Sequence, residues 1–134
     1  MKLAFISIIL ILISNSFAQQ FSSSWIKKVP KSSKISAGYL NIYNDTKTDL
    51  ELIGAQCDFA DAVEIHTHEK VGDVMKMRQL KSLVIKKDET LTLKPGSFHL
   101  MLIQLGKKFH NKKKHDITLL FKDGSNKTLS FPIK

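Results

Sequence analysis

One cysteine in 134 residues excludes an internal disulfide, so the chain must be held together by its apolar core. Aromatics make up 8% of the chain (eight Phe, two Tyr and one Trp), and the lysine clusters lack the repeated aromatic interleaving of a stacking surface for single-stranded nucleic acid. Outside the N-terminus no apolar run is long, and no window sustains a helical stripe over several turns, so a helical bundle is excluded. No nucleophile–base pair and no carboxylate dyad is set up for acid–base work, and no catalysis is implied. Acidic residues are scarce: 12 Asp and Glu stand against 21 Lys and Arg, a formal charge of +9. The basic residues form a solvated face, with steering towards an acidic partner or an anionic membrane as the sharper alternative.

What is present begins with a leader. Met1-Lys2 is followed by the apolar run Leu3 to Ile13, and Ser16-Phe17-Ala18 puts small residues at −3 and −1 before Gln19. The pattern predicts a signal peptide over 1–18, cleaved after Ala18. The run falls short of the roughly 20 residues of a membrane span, although an uncleaved anchor is the alternative. No Cys follows the cleavage point, so nothing in this stretch signals lipid attachment. Residues 19–35 are polar, Ser-rich and Lys-rich, and read as an extended lead-in whose Trp25 packs on the body. The domain proper is expected over 36–134.

From Ala37 onward, short strand-like runs alternate with turn signals. Tyr39-Leu40-Asn41-Ile42-Tyr43 and Thr90-Leu91-Thr92-Leu93 alternate cleanly, and Lys94-Pro95-Gly96 closes the second. Phe98 to Leu105 is the most apolar run of the mature chain and predicts a central strand. Asp123-Gly124 joins two further runs as a hairpin. Eight or so strands at this spacing predict an all-β sandwich or barrel.

Three segments place soft or borderline metal ligands two residues apart: His66-Thr67-His68, Met75-Lys76-Met77 and His99-Leu100-Met101. In a strand, residues i and i+2 share a face, so each pair can converge on one spot. Hard cations reject thioethers and Zn²⁺ prefers thiolate, imidazole or carboxylate, whereas Cu(I) accepts Met and His. A lone Met is ordinarily core filler. Here all three Met residues of the mature chain and three of its five His fall in these pairs. On the strand from Ser97, His99 and Met101 face away from Phe98, Leu100 and Leu102, directly after a turn. His66 is expected to close the strand Ala62 to Ile65. His110 and His115 bracket Asn111 and three lysines, a poor cation site because the lysines repel positive charge. Cys57 follows Leu52-Ile53-Gly54-Ala55 and reads as a buried, inert thiol.

The segments Ala37-Gly38-Tyr39, Val63-Glu64-Ile65-His66, Gly72 to Arg78 and Leu93 to Leu102 together resemble the periplasmic PCu(A)C copper chaperones. That family's spacing (His, ten residues, Met, twenty-one residues, His-x-Met) falls on His66, Met77, His99 and Met101. The resemblance implies a cupredoxin-like Greek-key β-sandwich and a periplasmic protein that carries Cu(I). It also implies partners: the copper site of cytochrome c oxidase subunit II, and Sco-type chaperones. His68 and Met75 remain as auxiliary ligands, with a surface role the better reading for His68. The Met- and His-rich tail of some relatives is absent. Three rival functions remain open: copper storage at the same site, a blue-copper electron carrier and a cationic module without metal. The blue-copper carrier needs a Cys in a late loop beside His and Met, and Cys57 lies upstream of every candidate ligand.

Overall fold

Alternating apolar and polar residues, broken by glycine and Asx turns, give a chain built almost wholly of strands. The computed structural model describes residues 20–134, so the leader expected over 1–18 lies outside the described residues. The strands are β1 (Phe21–Ile26), β2 (Ile35–Tyr43), β3 (Leu50–Gln56), β4 (Ala60–Val71), β5 (Val74–Leu80), β6 (Leu83–Ile85), β7 (Thr90–Leu93), β8 (His99–Leu105), β9 (Lys114–Phe121) and β10 (Asn126–Pro132). A 3₁₀ helix, Lys107–Asn111, lies between β8 and β9.

The strands form one curled sheet in the order β1-β2-β8-β4-β3-β9-β10, with β7 on β2, β5 on β4 and β6 on β3. Neighbours distant in sequence, such as β2 with β8 and β3 with β9, are the long returns of a Greek-key arrangement. The two edges meet. Ser24 Oγ donates to the Ser130 carbonyl at 2.8 Å, and the Lys134 amide donates to the Ile26 carbonyl at 2.9 Å. The result is an all-β barrel, as the alternation predicts, with the cupredoxin-like form that the family resemblance implies.

Inward positions are filled by Leu40, Ile42, Leu100, Leu102, Ile117 and Leu119, all nearly or wholly inaccessible. On β8 the predicted parity holds: Leu100 and Leu102 enter the core while His99, Met101 and Ile103 lie on the other face. Asn44, fully buried, organises the turn after β2 by donating Nδ2–H to the Thr48 and Ile85 carbonyls at 2.9 and 2.8 Å.

Two expectations need correcting. The segment set apart as a lead-in is, from Phe21, part of the sheet: β1 pairs with β2, and Trp25 packs against Tyr39 with ring centroids 4.5 Å apart. An edge strand half in solvent carries serines and lysines without losing its ladder, so composition alone marks it as separate. The strand expected to stop near His66 runs on to Val71. Beyond His66 it pairs only with β5, and the two form a hairpin reaching past the end of β8. Residues 74–79 of β5 are all exposed, so that hairpin lacks the in–out alternation by which a strand is read. Its two-residue turn puts Gly72 at φ +62°, where an L side chain is strained.

Candidate metal centre

The site is set by the register of three neighbouring strands. On β4 and β8, His66 lies opposite His99 and Glu64 opposite Met101. On β4 and β5, His68 lies opposite Met77. Residues opposite one another share a face, with Cβ atoms about 4.5–5.5 Å apart, and diagonal neighbours lie about 7–8 Å apart. Glu64, His66, His68, Met77, His99 and Met101 therefore occupy one contiguous patch on the outer face of the barrel. Met75 is opposite Lys70, four rungs beyond His66 and two beyond the His68–Met77 pair towards the hairpin tip, and is not brought to the centre.

Local hydrogen bonds decide which nitrogens face the patch. His99 is only 2% exposed, and its Nδ1–H donates to the Ser97 carbonyl at 2.9 Å, leaving the lone pair on Nε2. His66 Nε2 lies 2.7 Å from Glu64 Oε2, so with an ionised carboxylate it is the N–H donor and the lone pair moves to Nδ1. His66 Nδ1 and His68 Nδ1 are both buried without a hydrogen-bond partner. Two orphaned imidazole nitrogens within one patch are costly unless a partner satisfies them. The rings cluster accordingly: the centroid of His99 lies 5.9 Å from that of His66 and 5.1 Å from that of His68. Tyr39, itself packed on Trp25, flanks His99 at 6.5 Å.

Two thioethers share the face. Among the described residues no three His, Cys, Asp or Glu side chains are grouped to hold a metal ion by themselves. Met77 and Met101 lie on the same face as the imidazoles, and a mixed sulfur–imidazole set suits a soft ion such as Cu(I). Met77 is 45% exposed on the open hairpin, whereas Met101 is half-buried, so the patch is closed underneath and open on the β5 side.

Burial pushes the His99 imidazole below its ordinary range, offset by its bond to Ser97 and reinforced by His68 and His66. The folded metal-free protein thus favours neutral His99, while the unfolded chain takes up that proton near the ordinary value of about 6.5. Below that pH the unfolded state binds more protons, so stability falls with pH until the depressed folded value is passed. The melting temperature of metal-free protein is expected to drop between pH 7 and pH 5, and less steeply in His99→Asn. Parallel profiles for the two proteins would show that His99 carries no such linkage.

One residue of the patch, Glu64, escapes a reading of the sequence. Glu64 shares a strand face with His66 at i−2, a spacing that would have flagged it as a carboxylate orienting an imidazole. His68, read as a surface residue, has its Nδ1 buried beside His99. Cys57 is elsewhere. It follows β3 at the end of the barrel where Ala60 pairs with Leu105, six residues along β8 from His99, or about 20 Å at strand rise. It is a free thiol, half-buried, and burial raises its pKa. His115 is buried at that same end, stacked on Phe109 with centroids 5.5 Å apart and with Nε2–H donating to the Phe109 carbonyl.

The barrel is that of a PCuAC-type domain. The copper-bound PCuAC domain from PmoF2 superposes with a TM-score of 0.70 over 85% of this chain and 90% of that one, at 16% identity, a likeness of fold. The solution structure of Cu(I)-DR1885 from Deinococcus radiodurans gives a TM-score of 0.67 at 26% identity, covering 84% of this chain and 75% of that one. A family model described as LpqE-like, a lipoprotein family, matches residues 20–133, and the chain belongs to this PCuAC-type family. It is also 28% identical over 116 residues to Lxx21020 of Leifsonia xyli subsp. xyli, a protein named as a lipoprotein, covering 86% of this chain and 69% of that one. No helix among the described residues is long and apolar enough to cross a membrane.

Proposed function

We propose that this chain binds one Cu(I) ion through His66, Met77, His99 and Met101 and carries it, outside the cytoplasm, to a recipient protein. One observation carries the reading. Two partnerless buried imidazole nitrogens and the lone pair of His99 share a face with two methionines, within three paired strands. The copper named in the structures of PmoF2 and DR1885 supports the choice of ion. His99 and His66 supply nitrogens preset by Ser97 and Glu64, so little reorganisation accompanies binding. Thioethers and neutral imidazoles keep their donor character in an oxidising compartment, where paired thiols would be lost to disulfide.

The exposed side of the site suits release. Met77 is reachable from solvent, and His68 and then Met75 continue the row of donors towards the hairpin tip as auxiliary ligands. An incoming protein can replace donors one at a time from that side. By family resemblance the recipients are the copper site of cytochrome c oxidase subunit II and Sco-type chaperones, in the periplasm behind a cleaved leader. A blue-copper role is disfavoured because the one thiol is a barrel length away. No enzymatic role is proposed.

X-ray absorption on the anaerobic Cu(I) form is expected to show mixed sulfur and nitrogen scattering at a stoichiometry of one, unchanged in Cys57→Ser. A first shell of nitrogen and oxygen alone, or loss of copper in Cys57→Ser, would sink the assignment. Transfer to an isolated oxidase copper domain separates carriage from storage: a storage protein keeps its ion.

A further inference from the structure

The lysines are not spread evenly. Four of them, in segment 27–34, and five more, in segment 107–114, meet at the end of the barrel opposite the hairpin. The backbone ties the segments together there: the Leu105 amide donates to the Lys34 carbonyl at 2.9 Å, the Lys28 amide to the Lys134 carbonyl at 2.7 Å, and the Ile133 amide to the Lys113 carbonyl at 2.8 Å. All nine side chains are exposed, and among the described residues only Lys108 of the nine has a carboxylate within ion-pair distance, Asp58 at 3.7 Å, although Asp58 and Asp116 line the same groove as Lys112, Lys113 and Lys114. The grooves between the segments are lined by Lys28, Lys112 and Lys113 on one side and by Lys31, Lys34 and Lys107 on the other.

We infer that this basic end docks on an anionic phospholipid surface, leaving the His–Met face about 20 Å from the point of contact, by strand rise along β8. Three features favour a bilayer over an acidic protein. Every basic group in the two segments is a lysine, a hydrated point charge on a flexible stem, with no arginine to make a bidentate contact. Specific protein interfaces are depleted in lysine and enriched in arginine and aromatics, whereas juxtamembrane attraction needs only clustered charge. The side chains also project from several segments around one end rather than lining one deep cleft, which suits a broad, fluid partner. Docking by this end keeps the open β5 side of the metal site free for exchange, and it does not depend on copper being bound.

Flotation of the metal-free mature chain, residues 19–134, with vesicles tests the proposal. Binding is expected to vesicles of phosphatidylcholine with about 30% phosphatidylglycerol, to be absent with phosphatidylcholine alone, and to fall steeply as salt shortens the screening length. Lys112→Glu/Lys113→Glu/Lys114→Glu should weaken binding at least tenfold. The control Lys81→Glu/Lys86→Glu/Lys87→Glu removes the same charge from exposed positions away from that end and should change it less than threefold. Equal losses in the two triple variants would mean that net charge alone drives adsorption and would overturn the docking end. So would absence of vesicle binding in a protein that still binds polyglutamate, which would point to an acidic protein instead. Circular dichroism of each variant separates lost binding from lost fold.

Discussion

Met77→Leu/Met101→Leu is expected to lose Cu(I) while keeping its fold. Leucine nearly conserves the volume of methionine, and such swaps cost less than about 1.5 kcal/mol each even inside a core. Neither residue is in the core: Met77 is 45% exposed and Met101 half-buried on the outer face. The melting temperature of metal-free protein should therefore change little. The donors left are imidazoles, which a borderline ion accepts as readily as Cu(I) does. Affinity for Cu(I), measured by competition with a chelator under anaerobic conditions, should fall at least about 100-fold, equivalent to about 2.8 kcal/mol. Weak Zn²⁺ binding should be nearly unaffected, since the nitrogens stay in place. An unchanged Cu(I) affinity would show that the thioethers are bystanders and that the proposed donor set is wrong.

That soft-donor pattern is legible in the amino-acid sequence because strand parity is local. A residue two positions along returns to the same face whatever the strand pairs with, so His99 with Met101 and His66 with His68 follow from sequence alone. The in–out parity of β8 is legible for the same reason. Register between distant strands is not. Nothing within β4 says that His66 faces His99 rather than its neighbour, and a slip of one residue would send His66 and His68 to the core side, away from His99 and Met101. Glu64 shares that local parity with His66, but whether its carboxylate turns to the imidazole is a matter of rotamer, so only the structure reveals the 2.7 Å contact. The β4–β5 hairpin is hidden for a different reason. It stands clear of the body, its residues are exposed on both faces, and its stability lies in a two-residue glycine turn and a backbone ladder rather than in burial. The edge strand β1 is obscured by its three serines and by the lysine-rich stretch that follows it. Both misreadings fall where hydrophobic patterning is weakest.

Leu100→Ala should do the reverse of the double methionine variant: keep the ligands and lose much of the fold. Leu100 is wholly inaccessible and lies on the core face of β8, between His99 and Met101 in sequence and opposite Gly38 across the strand pair. Truncation leaves a cavity in a core with no disulfide to hold it, at a cost of about 2–5 kcal/mol. A domain of this size has only about 5–15 kcal/mol in all. A fall of at least about 10 °C in the melting temperature of metal-free protein is expected, since 1 kcal/mol shifts a domain of this order by about 4–8 °C. Copper should then restore part of the loss. A ligand bound only by the native state, at about 100 times its dissociation constant, adds about 2.7 kcal/mol. Leu100→Ala titrated with Cu(I) should bind one ion and melt several degrees higher, whereas Met77→Leu/Met101→Leu should show no such rise at the same copper concentration. A Leu100→Ala protein as stable as the parent would mean that β8 does not anchor the site through the core. A variant that copper fails to stabilise would mean that the ligands on the outer face are not held by the strand whose inner face was cut away.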